Sequence, residues 1–306
     1  MLPRRLFGKT STAISVLGFG GAPVGFLPTE RAEVSDLLNT LLDEGINLID
    51  TASGYRGSEE VIAEAVSHRR HDYFLVSKCG HPVDGIDPAL ASWSPELIRQ
   101  TVDRSLRRLR TDRLDLMLLH TCDRDTLKQG DALAELLRAR DAGKIRFVGY
   151  SGDNEAVAYA AQLPEVAVVQ TSLNLVDQAN IDGLLPVART HNTGVMAKRP
   201  LANASWRKLE EQRGIYTDYA RDYTARLAAM QISPADLGVD SWGELALRFT
   251  LSHPDVTTAI VGTTNLKNAR ANLAAAAKGP LPADVVAKIR TAFTAAQPAE
   301  GWPGLT

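Results

Sequence analysis

At 306 residues the chain is long enough for two ordinary domains or for one large α/β barrel, a fold that runs to roughly 250 residues and beyond. Its composition, 44% hydrophobic and 23% charged, suits a folded chain with a sizeable core, and a formal net charge of -2 gives no reason to expect a nucleic-acid partner. No apolar run approaches the roughly 20 residues of a membrane span, no apolar segment follows Arg4 and Arg5 as a leader requires, and two cysteines make no disulfide framework, so a cytoplasmic protein without membrane partners is expected.

In chain order, residues 6–14 read as a hairpin. Short apolar runs follow at 16–20, 47–50, 73–78, 114–120, 145–151, 166–171, 194–197 and 258–261, with the composition of strands buried on both faces. Helical patterns separate them at 32–44, 59–67, 95–109, 131–142, 155–162, 181–190 and 242–251. The first of these sets Val34, Leu37, Leu38, Leu41 and Leu42 on one stripe and stops at Gly45, a residue suited to the left-handed turn that ends a helix. Ser94-Pro95-Glu96-Leu97 is a strong helix start, a cap followed by proline at the first helical position. The basic cluster from Arg104 to Arg113 fits the solvated face and last turn of that helix. Between 197 and 242 the periodicity is weak, although Trp206, Tyr216, Tyr219 and Tyr223 lie there; connections of that length are usually functional or partly helical. A helix over 281–296 and a Pro/Gly-rich tail close the chain.

Eight strand–helix alternations point to parallel strands with helical crossovers, held in a closed barrel or an open doubly wound sheet. No break in composition divides the chain, so one domain over 1–306 is expected. Gly18-Phe19-Gly20-Gly21-Ala22-Pro23 puts Pro23 where a dinucleotide fingerprint needs its third glycine, and no helix cap follows until Thr29. Gly8-Lys9-Thr10 imitates the end of a phosphate loop, but Pro3 occupies the place of its first glycine. Cys79-Gly80-His81 and His120-Thr121-Cys122 match no familiar zinc spacing, and no metal is expected.

Barrel enzymes carry their catalytic groups at the C-terminal ends of strands. Those ends hold Asp50 after the second run, Lys78 after the third and His120 after the fourth, and Tyr55 follows Asp50 in a loop flanked by Gly54 and Gly57. Singly, Asp50 reads as a loop cap, Tyr55 as a packed ring, Lys78 as a cation snorkelling to solvent and His120 as a satisfied hydrogen-bonding group. One shared site accounts for all four together.

Asn47-Leu48-Ile49-Asp50-Thr51-Ala52-Ser53-Gly54-Tyr55, Leu75-Val76-Ser77-Lys78 and Leu114-Asp115-Leu116-Met117-Leu118-Leu119-His120 resemble the segments that carry the catalytic Asp, Tyr, Lys and His of the aldo-keto reductases. Gly143 through Ser151, Val168-Val169-Gln170 and Ile260-Val261-Gly262 are similar to later strands of that family, in order over essentially the whole chain. The resemblance implies a (β/α)8 TIM barrel with an N-terminal hairpin, a long loop after strand 7 and an extra C-terminal helix. It also implies exchange of hydride between a nicotinamide cofactor and a carbonyl or alcohol. Tyr55 is then the proton donor and acceptor. A free tyrosine titrates near ~10; the Lys78 cation lowers that value, Asp50 holds Lys78, and His120 orients the substrate oxygen.

The same resemblance places Gly21, Ala22, Asp50, Ser151 and Gln170 beside the cofactor, the last two on its carboxamide. The family's usual Asn next to that serine is replaced by Gly152, with Asp153 and Asn154 beyond. Lys198, Arg199, Pro200 and Leu201 stand where an aromatic ring commonly covers the nicotinamide. Gly262, Thr263 and Thr264 suit a phosphate at a helix start, and Asn268 and Asn272 follow, Asn272 at the adenine. The basic residues that commonly grip the 2′-phosphate of NADPH are missing at Gly262 and Asn268, with Lys267 and Arg270 as substitutes. NADP is the expected cofactor and NAD the competitor. The substrate, a small carbonyl or alcohol, is expected against Ala22, the 79–94 loop with His81 and Trp93, and the 202–241 segment. Two other readings are a nicotinamide-binding regulatory subunit without turnover and a metal-dependent barrel hydrolase.

Overall fold

The computed structural model describes residues 2–27, 30–211 and 217–305, without the side chains of 217–219. Thr29 and Tyr216, and the side chain of Tyr219, lie outside the described residues.

Strands β1 (Arg4–Leu6) and β2 (Ala13–Ser15) pair antiparallel as the expected hairpin. Then β3 (Leu17–Gly20), β4 (Leu48–Asp50), β5 (Phe74–Cys79), β6 (Leu114–His120), β7 (Ile145–Ser151), β8 (Val166–Ser172), β9 (Gly194–Lys198) and β10 (Val256–Val261) lie side by side in parallel, and β10 closes on β3. Closure decides between the two architectures that alternation alone leaves open. The crossovers hold helices α1 (Ala22–Phe26), α2 (Arg31–Asp43), α3 (Ser58–Val66), α4 (Pro95–Arg108), α5 (Arg124–Gln129), α6 (Asp131–Asp141), α7 (Asn154–Gln162), α8 (Ala179–Gly183), α9 (Leu185–Thr190), α10 (Thr217–Met230), α11 (Trp242–Leu251) and α12 (Leu266–Ala277), and α13 (Ala283–Ala296) is the added C-terminal helix.

Several boundaries differ from the sequence expectation. The helix expected over 181–190 is two short ones, because Pro186 has no N–H to donate across the junction. Helices α1 and α5 are too short for a periodic signal. Strands β8, β9 and β10 run one or two residues longer than the apolar runs, since Ser172 and Thr257 are buried and Lys198 nearly so.

Period-two alternation builds the interior. Leu48, Phe74, Val76, Leu116, Leu118, Val168, Met196 and Ile260 form one inner cluster with Phe7 and Ile14. The next same-face position toward the C-terminal rim is Asp50, Lys78, His120, Gln170, Lys198 and Gly262 on β4, β5, β6, β8, β9 and the turn after β10. Register aligns part of this tier: His120 pairs with Ser151, and Ser151 with Gln170, whereas Asp50 pairs with Val76 and Lys78 with Leu118, each one same-face step from its neighbour's rim group. The polar groups therefore sit directly on top of an apolar plug.

The N-terminal segment is the floor of that plug. Phe7 and Ile14 are fully buried, and the turn Gly8–Thr10 between them is a 3-10 turn. Gly8 has φ +52, and a Cβ there would lie 2.1 Å from Gly194 N. Lys9 donates to the Leu163 and Val166 carbonyls at 2.9 and 2.7 Å, so the phosphate-loop imitation is a structural clamp. Phe7→Ala is expected to destabilise the fold by about 3–5 kcal/mol, the range for deleting a buried phenyl. Chemical denaturation of the variant checks this.

Candidate active site

The rim groups meet at one point. Lys78 is fully buried and uses all three ammonium donors: to Asp50 Oδ1 at 2.7 Å, Asp50 Oδ2 at 2.8 Å and the Thr51 carbonyl at 2.8 Å. Burial pushes Asp50 up and Lys78 down from their ordinary values, and the attraction between them opposes both shifts. With its hydrogen bonds spent, Lys78 acts on Tyr55 through charge: its Nζ lies 5.1 Å from the centre of the tyrosine ring. The Tyr55 ring also stands edge-on to Phe26 of α1 at 5.6 Å and to His120 at 6.3 Å.

The loop that presents Tyr55 is tied at both ends. Ser53 bonds the Lys78 carbonyl through its Oγ at 2.8 Å, and the Thr51 and Ser58 hydroxyls meet at 2.8 Å. Ser58 donates on to the Gly21 carbonyl, while Gly21 N donates to the Asp50 carbonyl at 2.7 Å. Arg104 corrects the expectation of a solvated basic face. It is buried, donates to the Ser53 carbonyl at 3.2 Å and the Asp84 carbonyl at 2.8 Å, and lies 3.5 Å from Glu59. A basic cluster on a helix gives no sign of which member turns inward; only the facing carbonyls decide it.

His120 continues a row of rings across the mouth. The rings of His120 and His81 are 5.8 Å apart, and those of His81 and Trp93 are 4.5 Å apart. His81 Nε2 is 3.1 Å from Thr121 Oγ1. Trp93 packs on Gly80, where a Cβ would sit 1.8 Å from the indole and φ is +125, so only glycine fits there. Burial, then the charges of Lys78 and Lys198, hold His120 well below the ordinary histidine value. It is a neutral imidazole at physiological pH.

The carboxamide candidates face each other. Ser151 donates to Gln170 Oε1 at 2.9 Å, and Gln170 Nε2 donates to Asp50 Oδ1 at 3.1 Å. Gly152 has no room for a side chain: a Cβ there would lie 2.3 Å from the Tyr150 hydroxyl. Asp153 and Asn154 do not replace it. Asp153 is buried, lies 2.8 Å from Lys198 Nζ and accepts from Thr171 and the Ser172 amide. Burial favours its neutral form, yet Lys198 and these donors hold it below its ordinary value. Asn154 exchanges hydrogen bonds with Gly304 of the tail, and Arg199 donates to the Leu305 carbonyl at 2.6 Å and to Ser172 Oγ at 3.2 Å. Lys198 and Arg199 are thus committed to an internal carboxylate and to the C-terminal tail, partners that no spacing in the sequence announces.

Beside β9 and β10 lies a cavity of about 710 Å³, lined among others by Leu201, Trp206, Trp242, Gly262, Thr263, Asn268 and Asn272. Gly262 lets the β10 end approach the β3 loop, since a Cβ there would meet the Pro23 ring at 2.6 Å and the Gly20 carbonyl at 2.7 Å. Thr264 is half-buried in the same turn, and Asn265 caps α12 by accepting from the Lys267 and Asn268 amides. Pro200 is buried between the two regions. The size suits the adenosine end of a dinucleotide, and the neutral hydroxyls, amides and indole faces suit its ribose and base. Among the described residues no group of three or more His, Cys, Asp or Glu is placed to hold a metal; Cys79 and Cys122 are free, buried thiols pushed above the ordinary cysteine value by burial.

The model of the aldo/keto reductase family matches residues 16–293. L-galactose dehydrogenase of Arabidopsis thaliana is 26% identical over 285 residues, which cover 89% of this chain and 87% of that protein. An aldo-keto reductase of Bacillus halodurans in its holo form superposes with a TM-score of 0.80 at 25% identity, covering 95% of this chain and 96% of that one. An aldo-keto reductase structure from Pseudomonas aeruginosa, at 30% identity, covers 90% of this chain and 94% of its own with a TM-score of 0.69.

The environment of His120 sets a pH expectation. The unfolded imidazole takes up its proton near ~6.5, whereas the folded ring stays neutral well below that value. Stability from this group is therefore lost as pH falls below about 6.5 and is unaffected above it. The His120 ring resonances are expected not to titrate between about pH 8 and 6; a midpoint at the ordinary value, seen by NMR, contradicts the burial argument.

Proposed function

The chain belongs to the aldo/keto reductase family and is an NAD(P)-dependent oxidoreductase that interconverts a carbonyl compound and an alcohol, and we propose that Tyr55 is its proton donor and acceptor. The observation that carries this is the buried Asp50–Lys78 pair held beneath the Tyr55 ring. A cation beside a phenol favours the phenolate, which makes Tyr55 a stronger acid toward a carbonyl oxygen gaining negative charge. Run backwards, the tyrosinate accepts the alcohol proton. His120, uncharged, donates or accepts a hydrogen bond at the substrate oxygen without competing as the acid. The cofactor, when bound, supplies or takes the hydride.

Ser151 and Gln170 are proposed to hold its carboxamide, with Gly21 and Ala22 at the rim beside it. Gly262, Thr263, Thr264, Asn268 and Asn272 form the adenosine end. His81 and Trp93, in the ring row next to His120, form part of the substrate wall for a small carbonyl or alcohol. The reading takes 1–306 as one barrel domain. The free thiols of Cys79 and Cys122 suit a reducing compartment, and a cytoplasmic location is part of this proposal. No helix among the described residues is long and apolar enough to cross a membrane. NADP is the proposed cofactor, with a narrow margin over NAD because Gly262 and Asn268 carry no charge.

Tyr55→Phe is expected to abolish carbonyl reduction while leaving cofactor affinity unchanged, because the hydroxyl serves the chemical step. Turnover within about threefold of wild type in a steady-state assay refutes the assignment. Raising ionic strength is expected to weaken NADPH binding more than NADH binding, as only the former carries the extra phosphate. Equal salt dependence in fluorescence titrations, with NADH bound as tightly, makes this an NAD-linked enzyme.

A further inference from the structure

The cations of α12 are poorly placed to hold a phosphate in the cavity. Arg270 is turned to α2, with its Nε 3.4 Å from Glu44. Neither it nor Lys267 lines the cavity. The basic side chain that does is Arg207, which comes from the long segment after β9. It is exposed, and its guanidinium makes no hydrogen bond or ion pair among the described residues. An unpaired arginine on a cavity wall offers planar, paired donors to an oxyanion.

Its neighbours give the cavity an adenosine-like polarity. Trp206 and Trp242, both on the wall, are stacked on each other, with rings inclined by 8° and centres 6.0 Å apart, a rigid aromatic pair against which a purine can pack. Thr263, Asn268 and Asn272 add uncharged hydrogen-bonding groups to the lining. The remaining ionised wall group is Asp240, whose carboxylate lies 3.2 Å from Lys278. Lys278 in turn lies 2.7 Å from Glu244. Glu244 is shared with Arg248 at 2.7 Å, so this acidic pair is balanced by two cations and Arg207 is the wall charge without a partner among the described residues.

We propose that Arg207 is the residue that selects NADPH, gripping its 2′-phosphate from the post-β9 segment while the stacked Trp206–Trp242 pair packs against the adenine. The proposal rests on the nicotinamide reading above and assigns the phosphate contact to the post-β9 segment in place of α12.

The test uses the full-length protein and follows quenching of its tryptophan fluorescence by NADPH, NADH, adenosine 2′,5′-bisphosphate and AMP. Wild type is compared with Arg207→Ala, Arg207→Lys and Arg270→Ala. Arg207→Ala is expected to weaken NADPH and the bisphosphate by about tenfold or more, the scale of one charge-assisted contact, with NADH and AMP changed less than about twofold. Arg207→Lys recovers part of the loss, and Arg270→Ala behaves as wild type. Unchanged NADPH and bisphosphate binding in Arg207→Ala overturns the proposal while leaving the nicotinamide reading intact, as does a preference that disappears with Arg270→Ala. Failure of wild type to bind either dinucleotide overturns both.

Discussion

A lysine ammonium without solvent contact persists only against a carboxylate and enough acceptors to use its protons. Lys78 meets that condition through Asp50 and the Thr51 carbonyl, and much of the site follows from it. The pair occupies the rim position directly above the apolar interior of β4 and β5. Moving either strand by one residue would turn its charge outward and a neighbour inward. On the following strands the register sets His120, Ser151 and Gln170 side by side. Removing one partner strands the other as a buried charge, a loss of about 3–5 kcal/mol, so stability and chemistry depend on the same contact.

A second buried pair, Lys198 with Asp153, sits on the other side of the mouth. Burial first, and then the charges of the two lysines, disfavour protonation of His120, which fits the proposal of Tyr55 as the proton donor. Asp153 is anchored by Thr171, the Ser172 amide and Asn180, and Arg199 beside it binds the tail. Charge at the centre is thereby connected to the docking of the C-terminus. Asp177, pushed up to about 6 by burial, accepts from Tyr223 and the Leu305 amide in the same region.

Strand ends were legible because burial on both faces leaves uninterrupted apolar runs, and a charged residue at the end of such a run is conspicuous. Asp50, Lys78 and His120 were all of this kind, and their common parity with Leu48, Val76 and Leu118 is a property of the backbone. What stayed hidden depends on long-range partners. Arg104 looks like its neighbours in the basic cluster until the Ser53 and Asp84 carbonyls are seen to face it. Nothing in the sequence around Lys198 and Arg199 points to Asp153 and Leu305, which are remote along the chain. The aromatic residues of the weakly periodic segment made no sense locally. Trp206 and Tyr223 pack with Phe249, Phe293 and Trp302 in a separate cluster under the C-terminal helix, where three distant pieces of chain share one core.

The claim at the centre is that the buried Lys78 charge, fixed by Asp50, makes Tyr55 an effective acid. It is tested most directly by the pH profile of kcat for carbonyl reduction, compared between wild type and Lys78→Met at saturating cofactor. A large fall in turnover is predicted, with the ionisation assigned to Tyr55 displaced to higher pH, because a neutral side chain no longer favours the phenolate. Turnover within about threefold of wild type on an unshifted profile would contradict the account.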